Sequence, residues 1–382
     1  MLNASLPVVP SIFQTCPPFF TAKIETGMPV IESLREGFIR EIGRSVRGRP
    51  ILAIEYGDFE PLEGITSDNL HSSLAARLAP PDATDIFPEG FYGTNRRSKP
   101  SLILQGGIHG SELSGTVASI NLCSVIETGC DLRGKPWPRL QELARATRIA
   151  IIPWLNPDAV NRWPFYQNDN APSSLLMAYN NGIARDGSVL QYPQFKNLSR
   201  INPDDMLYLG SYFNDNGINL QYDSLTIDRQ PETLAWMRYY LQEKPDAVLI
   251  WHCNGGSLLG PCGYYLPVGY QHLHSRLAGA VLSRLKREGL LLGTMGRLSW
   301  GTLPGTGKPE INQSAAVYHN CGALPLLSEM PQPNEHLRLN CDQILDIGLV
   351  HIEEVLEFGH TEGYRPYEYR AKLLRTGEIK QP

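Results

Sequence analysis

No stretch of about 18 consecutive apolar residues occurs in this sequence, so no helix is expected to span a membrane. Lys and Arg never gather into a block, and 34 basic against 39 acidic side chains leave a formal net charge of −5. That balance excludes an electrostatic nucleic-acid surface. A C-x-x-C pair is also missing. The seven cysteines (Cys16, Cys123, Cys130, Cys253, Cys262, Cys321, Cys341) are odd in number and scattered, which fits reduced thiols in a cytoplasmic protein better than a disulfide framework. The N-terminal MLNASLPVVPSIFQTCPPFF lacks a basic leader and an uninterrupted apolar core, so it does not read as a signal peptide. There is no internal repeat. What is present, 42% hydrophobic against 19% charged residues, describes a globular chain with ample core. The 382 residues are read as one α/β domain.

The most informative stretch is SLILQGGIHGSELSG, residues 101–115. Leu102 to Leu104 reads as a strand of a parallel sheet buried on both faces. Gly106-Gly107 lets the backbone turn, and a helix is expected from about Ser114. His109 and Glu112 therefore lie on a loop at a strand C-terminus, where open α/β sheets bind ligands. An imidazole and a carboxylate at this spacing can reach one divalent ion, and zinc accepts both donors. Taken alone, the pair describes many surface loops. Two later strands repeat the arrangement: DAVLIW delivers His252, and Ala323 to Leu327 runs into Ser328-Glu329. Two His and one carboxylate form an open catalytic zinc set, with a further Glu available as general base.

Elsewhere, 30–45 carries apolar residues at helical spacing (Ile31, Leu34, Phe38, Ile39, Ile42), and a strand from Ile51 to Tyr56 follows the Arg47-Gly48-Arg49 turn. Residues 58–99, which include His71, read as a surface excursion. Helices are expected over 116–126, 140–146, 230–243, 269–288 and 340–358, and a strand over 148–155 that ends at the Asn156-Pro157-Asp158 turn. The 157–217 segment, rich in Asn, Asp, Pro, Ser and Tyr, reads as an irregular insertion of the kind that carries function. His272 and His274 are expected to be exposed, His351 and His360 structural or solvated, and Cys253 a small buried thiol.

The order of these landmarks resembles the carboxypeptidase A-like zinc metallocarboxypeptidases over most of the chain, from about residue 34 to 358. EIGRSVRGRPILAIEYG is similar to that family's opening, HGSE to its zinc motif, and NPD at 156–158 to its Asn-Pro-Asp-Gly turn with Ala159 in place of Gly. WHCN resembles the strand of the third ligand, and LLSEMP the segment of the catalytic Glu. The resemblance implies a mixed, mostly parallel central sheet with helices on both faces. It also implies one Zn2+ per chain on His109, Glu112 and His252, and Glu329 as base and then acid in hydrolysis of a small peptide or amide substrate. Arg162 is the first candidate for the oxyanion arginine, with Arg185 and Arg200 behind it. Asn156, Gln221 and Tyr222 are the candidate substrate contacts. Gln221 and Tyr222 stand where the family carries an Asn-Arg pair for the substrate carboxylate, and no Tyr occupies Gly305 to Pro309, where a substrate-facing Tyr is expected. A neutral Tyr cannot make the bidentate, charged grip of a guanidinium, so specificity should depart from ordinary C-termini. The alternatives are a zinc deacylase of the aspartoacylase and succinylglutamate desuccinylase type, and a binding protein that kept the fold without turnover.

Overall fold

The apolar run at 101–105 is a strand buried on both faces, and a sheet extends to either side of it. A computed structural model of the protein describes residues 5–62, 97–191, 200–224, 226–254, 266, 268–290, 312–365 and 375–377. His71 and most of the 58–99 excursion, Cys262, Gly255-Gly256 and the segment from Gly305 to Pro309 lie outside those residues.

The strands are β1 (Phe38–Arg44), β2 (Pro50–Tyr56), β3 (Ser101–Gln105), β4 (Arg148–Ile152), β5 (Ile183–Ala184), β6 (Met206–Tyr208), β7 (Ala247–Asn254) and β8 (Leu324–Pro331). Six of them form one sheet in the order β1-β2-β4-β3-β7-β8. The β4-β3-β7-β8 pairings are parallel, and β1-β2 and β2-β4 are antiparallel. The helices are α1 (Ile24–Glu32), α2 (Ser114–Thr128), α3 (Pro138–Arg145), α4 (Pro157–Arg162), α5 (Ser173–Asn181), α6 (Pro231–Glu243), α7 (Val268–Arg287), α8 (Gln313–Cys321) and α9 (Cys341–Thr361). The period of 2 along each strand sends alternate residues to opposite layers. Leu102, Leu104, Leu249, Trp251 and Leu326 pack with α2, α3, α7 and α9. Ile103, Ile152, Val248 and Ile250 pack with α6 and α8. This is the mixed, mostly parallel sheet with helices on both faces. At the far ends of the strands from the site, the buried Arg148 guanidinium is held by Glu55 at 2.7 Å and Glu243 at 3.2 Å.

Two expectations are corrected. Residues 30–45 are not one helix: α1 ends at Glu32, and Phe38–Arg44 is β1. Glu127 decides this, because its carboxylate accepts the backbone N–H groups of Arg35, Glu36 and Gly37 at 3.0–3.2 Å. Those groups cannot then continue a helix, and the chain leaves extended to pair with β2. Phe38, counted as a core position of the helix, is 61% exposed on this edge strand. The second correction is His274, which is only 5% exposed. It lies on the α7 stripe that also buries Leu277, Ala278, Val281 and Leu285. The 157–217 segment is more regular than its composition suggests, holding α4, α5 and the β5-β6 pair around Ile201, Met206, Tyr212 and Phe213. The six described cysteines are free thiols, Cys253 buried among them.

Burial without compensation pushes His274 down to about 4 and His351 down to about 3. The unfolded chain protonates both near pH 6.5, whereas the fold refuses those protons until the lower values. The contribution of these two histidines to stability is therefore flat above about pH 6.5 and falls as pH drops toward 4, by about 1.4 kcal/mol per pH unit for each histidine. Urea unfolding of wild type and His274→Leu across pH 7.5 to 5 checks this. The variant should lose one histidine's share of the slope, and an unchanged slope would remove His274 as a source.

Candidate metal centre

The loops at the C-terminal ends of the parallel strands interlock before any metal chemistry is considered. After β3 the chain turns at Gly107, whose φ of +62° suits glycine. The loop then runs against α4, where a Cβ on Gly110 would lie 2.3 Å from the Ala159 carbonyl. Asn156 is fully buried there: its Oδ1 caps α4 by accepting the Ala159 N–H at 3.2 Å, and its Nδ2 donates to the Ile108 carbonyl at 3.3 Å. Ser114 Oγ donates to the Pro331 carbonyl at 3.1 Å, tying the start of α2 to the end of β8. His252 on β7 and Glu329 on β8 are register partners, so both side chains leave the same face of the sheet.

His109, Glu112 and His252 converge at this edge, buried, with one donor atom of each within 4.8 Å of the others. Nδ1 of His109 and Nδ1 of His252 each lie 2.9 Å from Glu112 Oε2. Burial opposes ionisation of Glu112, but the imidazoles of His109 and His252 outweigh it and hold the carboxyl well below its usual range.

Asn219 fixes the tautomer of His109. Its Oδ1 accepts the Gln221 N–H at 3.1 Å and lies 3.1 Å from His109 Nε2. An oxygen that already accepts one N–H can only accept from the imidazole too, so His109 Nε2 carries hydrogen. Its Nδ1 is then the atom facing Glu112, and two lone pairs at that separation require a positive charge between them. A proton or a metal ion supplies it. Two imidazole nitrogens and a carboxylate oxygen, buried and preassembled, are the donor set of an open zinc site, and a hydrogen-bonded far nitrogen is how a ligating His is usually oriented. The residues fit the ion.

Other candidates are placed differently. Arg162 is held against the loop after β6: Nε donates to the Leu209 carbonyl at 2.8 Å, Nη2 to the Phe213 carbonyl at 2.6 Å and the Gly210 carbonyl at 3.3 Å, and Nη1 pairs with Asp215. Arg185 is exposed and donates to the Asp204 carbonyl, and Arg200 is exposed. Asn156 is a loop anchor, with its side chain fully committed. Gln221 and Tyr222 sit partly exposed in a 3-10 turn, Leu220–Tyr222, directly after Asn219 and thus beside the cluster.

Two site residues escaped the sequence reading. Asn219 lies within GINLQYDS, where the family resemblance falls on its neighbours Gln221 and Tyr222. Tyr212 had no signal at all. Its ring meets that of His109 edge-on at 4.5 Å between centroids. Burial first, then the charges of Glu112 and Glu329 and a hydrogen bond with Glu112, push its hydroxyl well above the usual tyrosine value.

The profile of the zinc carboxypeptidase family matches residues 38–296. Glu329 lies beyond that span, so its placement comes from the β8 register. No curated protein matches the sequence. A metallo-carboxypeptidase from Burkholderia cenocepacia is similar in fold at 17% identity and TM-score 0.50, covering 88% of this chain and 68% of its own. One from Pseudomonas aeruginosa, solved with (2-guanidinoethylmercapto)succinic acid, is similar at 14% identity and TM-score 0.51, covering 90% and 70%. Carboxypeptidase A from Helicoverpa armigera is similar at 12% identity and TM-score 0.50, covering 95% and 78%.

Stripped by chelation and given zinc back, the chain should bind about one zinc. Ala at His109, Glu112 or His252 should abolish tight binding. Asn219→Leu should weaken it about 10- to 100-fold, the usual effect of losing the group that orients a ligand. Competition with a chromogenic chelator measures each constant. Wild-type affinity in Asn219→Leu would contradict the tautomer argument.

Proposed function

The chain belongs to the zinc carboxypeptidase family, a family of zinc-dependent hydrolases, and on that premise we propose that it cleaves peptide or amide bonds through zinc held by His109, Glu112 and His252, with Glu329 carrying the proton. One observation supports this above the others: the buried His-Glu-His cluster has a separate, partly exposed carboxylate in register on the next strand.

Bound zinc supplies a Lewis acid that polarises the amide carbonyl and lowers the pKa of a water. Everything else is done by this chain's side chains. Glu329 takes a proton from the attacking water as its oxygen bonds to the carbonyl carbon. It returns that proton to the amine nitrogen as the C–N bond breaks, leaving a carboxylic acid and an amine. Glu329→Gln should therefore keep zinc and lose hydrolysis by about 100-fold or more, the usual worth of a general base.

The substrate class follows from the neutral turn beside the cluster. Gln221 and Tyr222 donate hydrogen bonds but bring no positive charge. A hydrogen bond to a charged group contributes about 1.5–3 kcal/mol, so a free C-terminal carboxylate here forgoes about a tenfold to hundredfold gain in affinity. The preferred substrates are amides that do not present a free carboxylate at that subsite. Peptides, N-acyl amino acids and muropeptides offered to the zinc-loaded protein, with cleavage read by mass spectrometry, test the reading. Turnover of N-acyl amino acids alone would favour the deacylase, and none of any class would reject hydrolysis. On one cleaved scaffold, wild type should treat free and amidated C-termini alike, and Tyr222→Arg should shift preference to the free acid. A wild type that strongly prefers the free acid would overturn this specificity.

A further inference from the structure

Hydrolysis of an amide places a negative charge on the carbonyl oxygen, and a buried site needs a fixed donor to meet it. Arg162, the sequence's leading candidate for this task, is bonded to a neighbouring loop instead. Each nitrogen of the Arg162 guanidinium is engaged by the 209–215 loop, at Leu209, Gly210, Phe213 and Asp215. Those bonds do not reach the cluster, but they hold rigid the loop that carries Tyr212. The same loop is pinned to the metal-ligand loop from the other side. Gly110 N–H donates to the Ser211 carbonyl at 2.8 Å, and Ser211 Oγ donates to Ser111 Oγ at 2.9 Å. Tyr212 is thus fixed by its neighbours in sequence, and its ring lies 4.5 Å from His109. Its hydroxyl hydrogen-bonds Glu112 and stands within the field of Glu329.

We propose that Tyr212 is the hydrogen-bond donor to the substrate's carbonyl oxygen as negative charge develops on it. The scissile carbonyl must reach both the metal ligands and the proton carrier, and the Tyr212 hydroxyl lies near both. A tyrosine hydroxyl is a hydrogen-bond donor at neutral pH. With Glu112 committed to a bound metal, the Tyr212 O–H that served it would turn to the reacting oxygen. No proton is transferred: the O–H bond stays intact and only the hydrogen bond changes acceptor. This catalytic role rests on the hydrolase reading above. A tyrosine also suits the uncharged Gln221-Tyr222 turn, since it stabilises an oxyanion without attracting a free carboxylate.

Tyr212→Phe tests it, because the ring that packs on His109 is kept and only the hydroxyl is lost. Zinc affinity is measured by chelator competition, and kcat and KM at saturating zinc on a substrate that wild type cleaves. The expected result is zinc affinity and KM within about threefold of wild type and kcat lower by about 100-fold, the scale of losing one oxyanion donor. An unchanged kcat would overturn the proposal and leave the hydrolase reading standing. Weakened zinc binding, with kcat restored by excess zinc, would also overturn it, making Tyr212 a support for Glu112 alone. A wild type that cleaves nothing when loaded with zinc fails at the hydrolase reading and takes this proposal with it.

Discussion

A carboxylate removed from water between two imidazoles is the constraint on which the upper edge of this sheet depends. An unpaired buried charge costs several kcal/mol, yet Glu112 stays ionised because His109 and His252 both face the same oxygen. The contact joins the loop after β3 to the interior of β7, so the sheet must be formed for it to exist. Asn219 adds the third direction by holding the far nitrogen of His109 and thereby deciding which nitrogen faces the centre. Ligand geometry is thus set before an ion arrives, and less ordering entropy opposes its binding.

Around that centre the charges are spent on structure. Asp158 accepts the Arg47 N–H at 3.0 Å and pairs with Arg49 at 2.7 Å, and Asp215 pairs with Arg47 at 2.7 Å and with Arg162. Glu232 accepts the Val46 N–H at 2.9 Å and the Asn214 side-chain amide at 3.2 Å. The β1-β2 turn, α4, the 209–217 loop and the start of α6 are therefore one polar assembly. Its cations are consumed in fixing the loops. Among the described residues, Tyr212 and Asn219, which meet His109, are neutral, and so are Gln221 and Tyr222 in the turn that follows Asn219. The ion pairs hold these loops in place around the cluster.

Four parallel strands, their helices and the convergence of His109, Glu112 and His252 at strand ends were legible in the sequence. Runs such as Leu102–Leu104 and Ala247–Trp251 can be buried on both faces only in a covered parallel sheet, and that topology places strand ends together. Local patterning failed at 30–45, where Phe38, Ile39 and Ile42 fit a helical period yet belong to β1. The residue that ended the helix, Glu127, is distant in the chain, and no window on the sequence contains both.

The sequence by itself determined which chemical groups are available: the donor types for zinc, a spare carboxylate, and no arginine in the GINLQYDS turn. Their composition and their positions at strand ends are local properties of the chain. Only the tertiary structure decided the use of groups whose role depends on long-range partners. Arg162, a candidate catalytic arginine by sequence, is occupied by the carbonyls of Leu209, Gly210 and Phe213. Asn156 became a buried anchor, and His274 turned inward on α7. Tyr212 joined the site because the Gly110 N–H bond to the Ser211 carbonyl and the Ser211–Ser111 hydroxyl contact draw two loops together. A side chain's chemistry is written in its own residue, whereas its hydrogen-bond partners and its exposure belong to the fold.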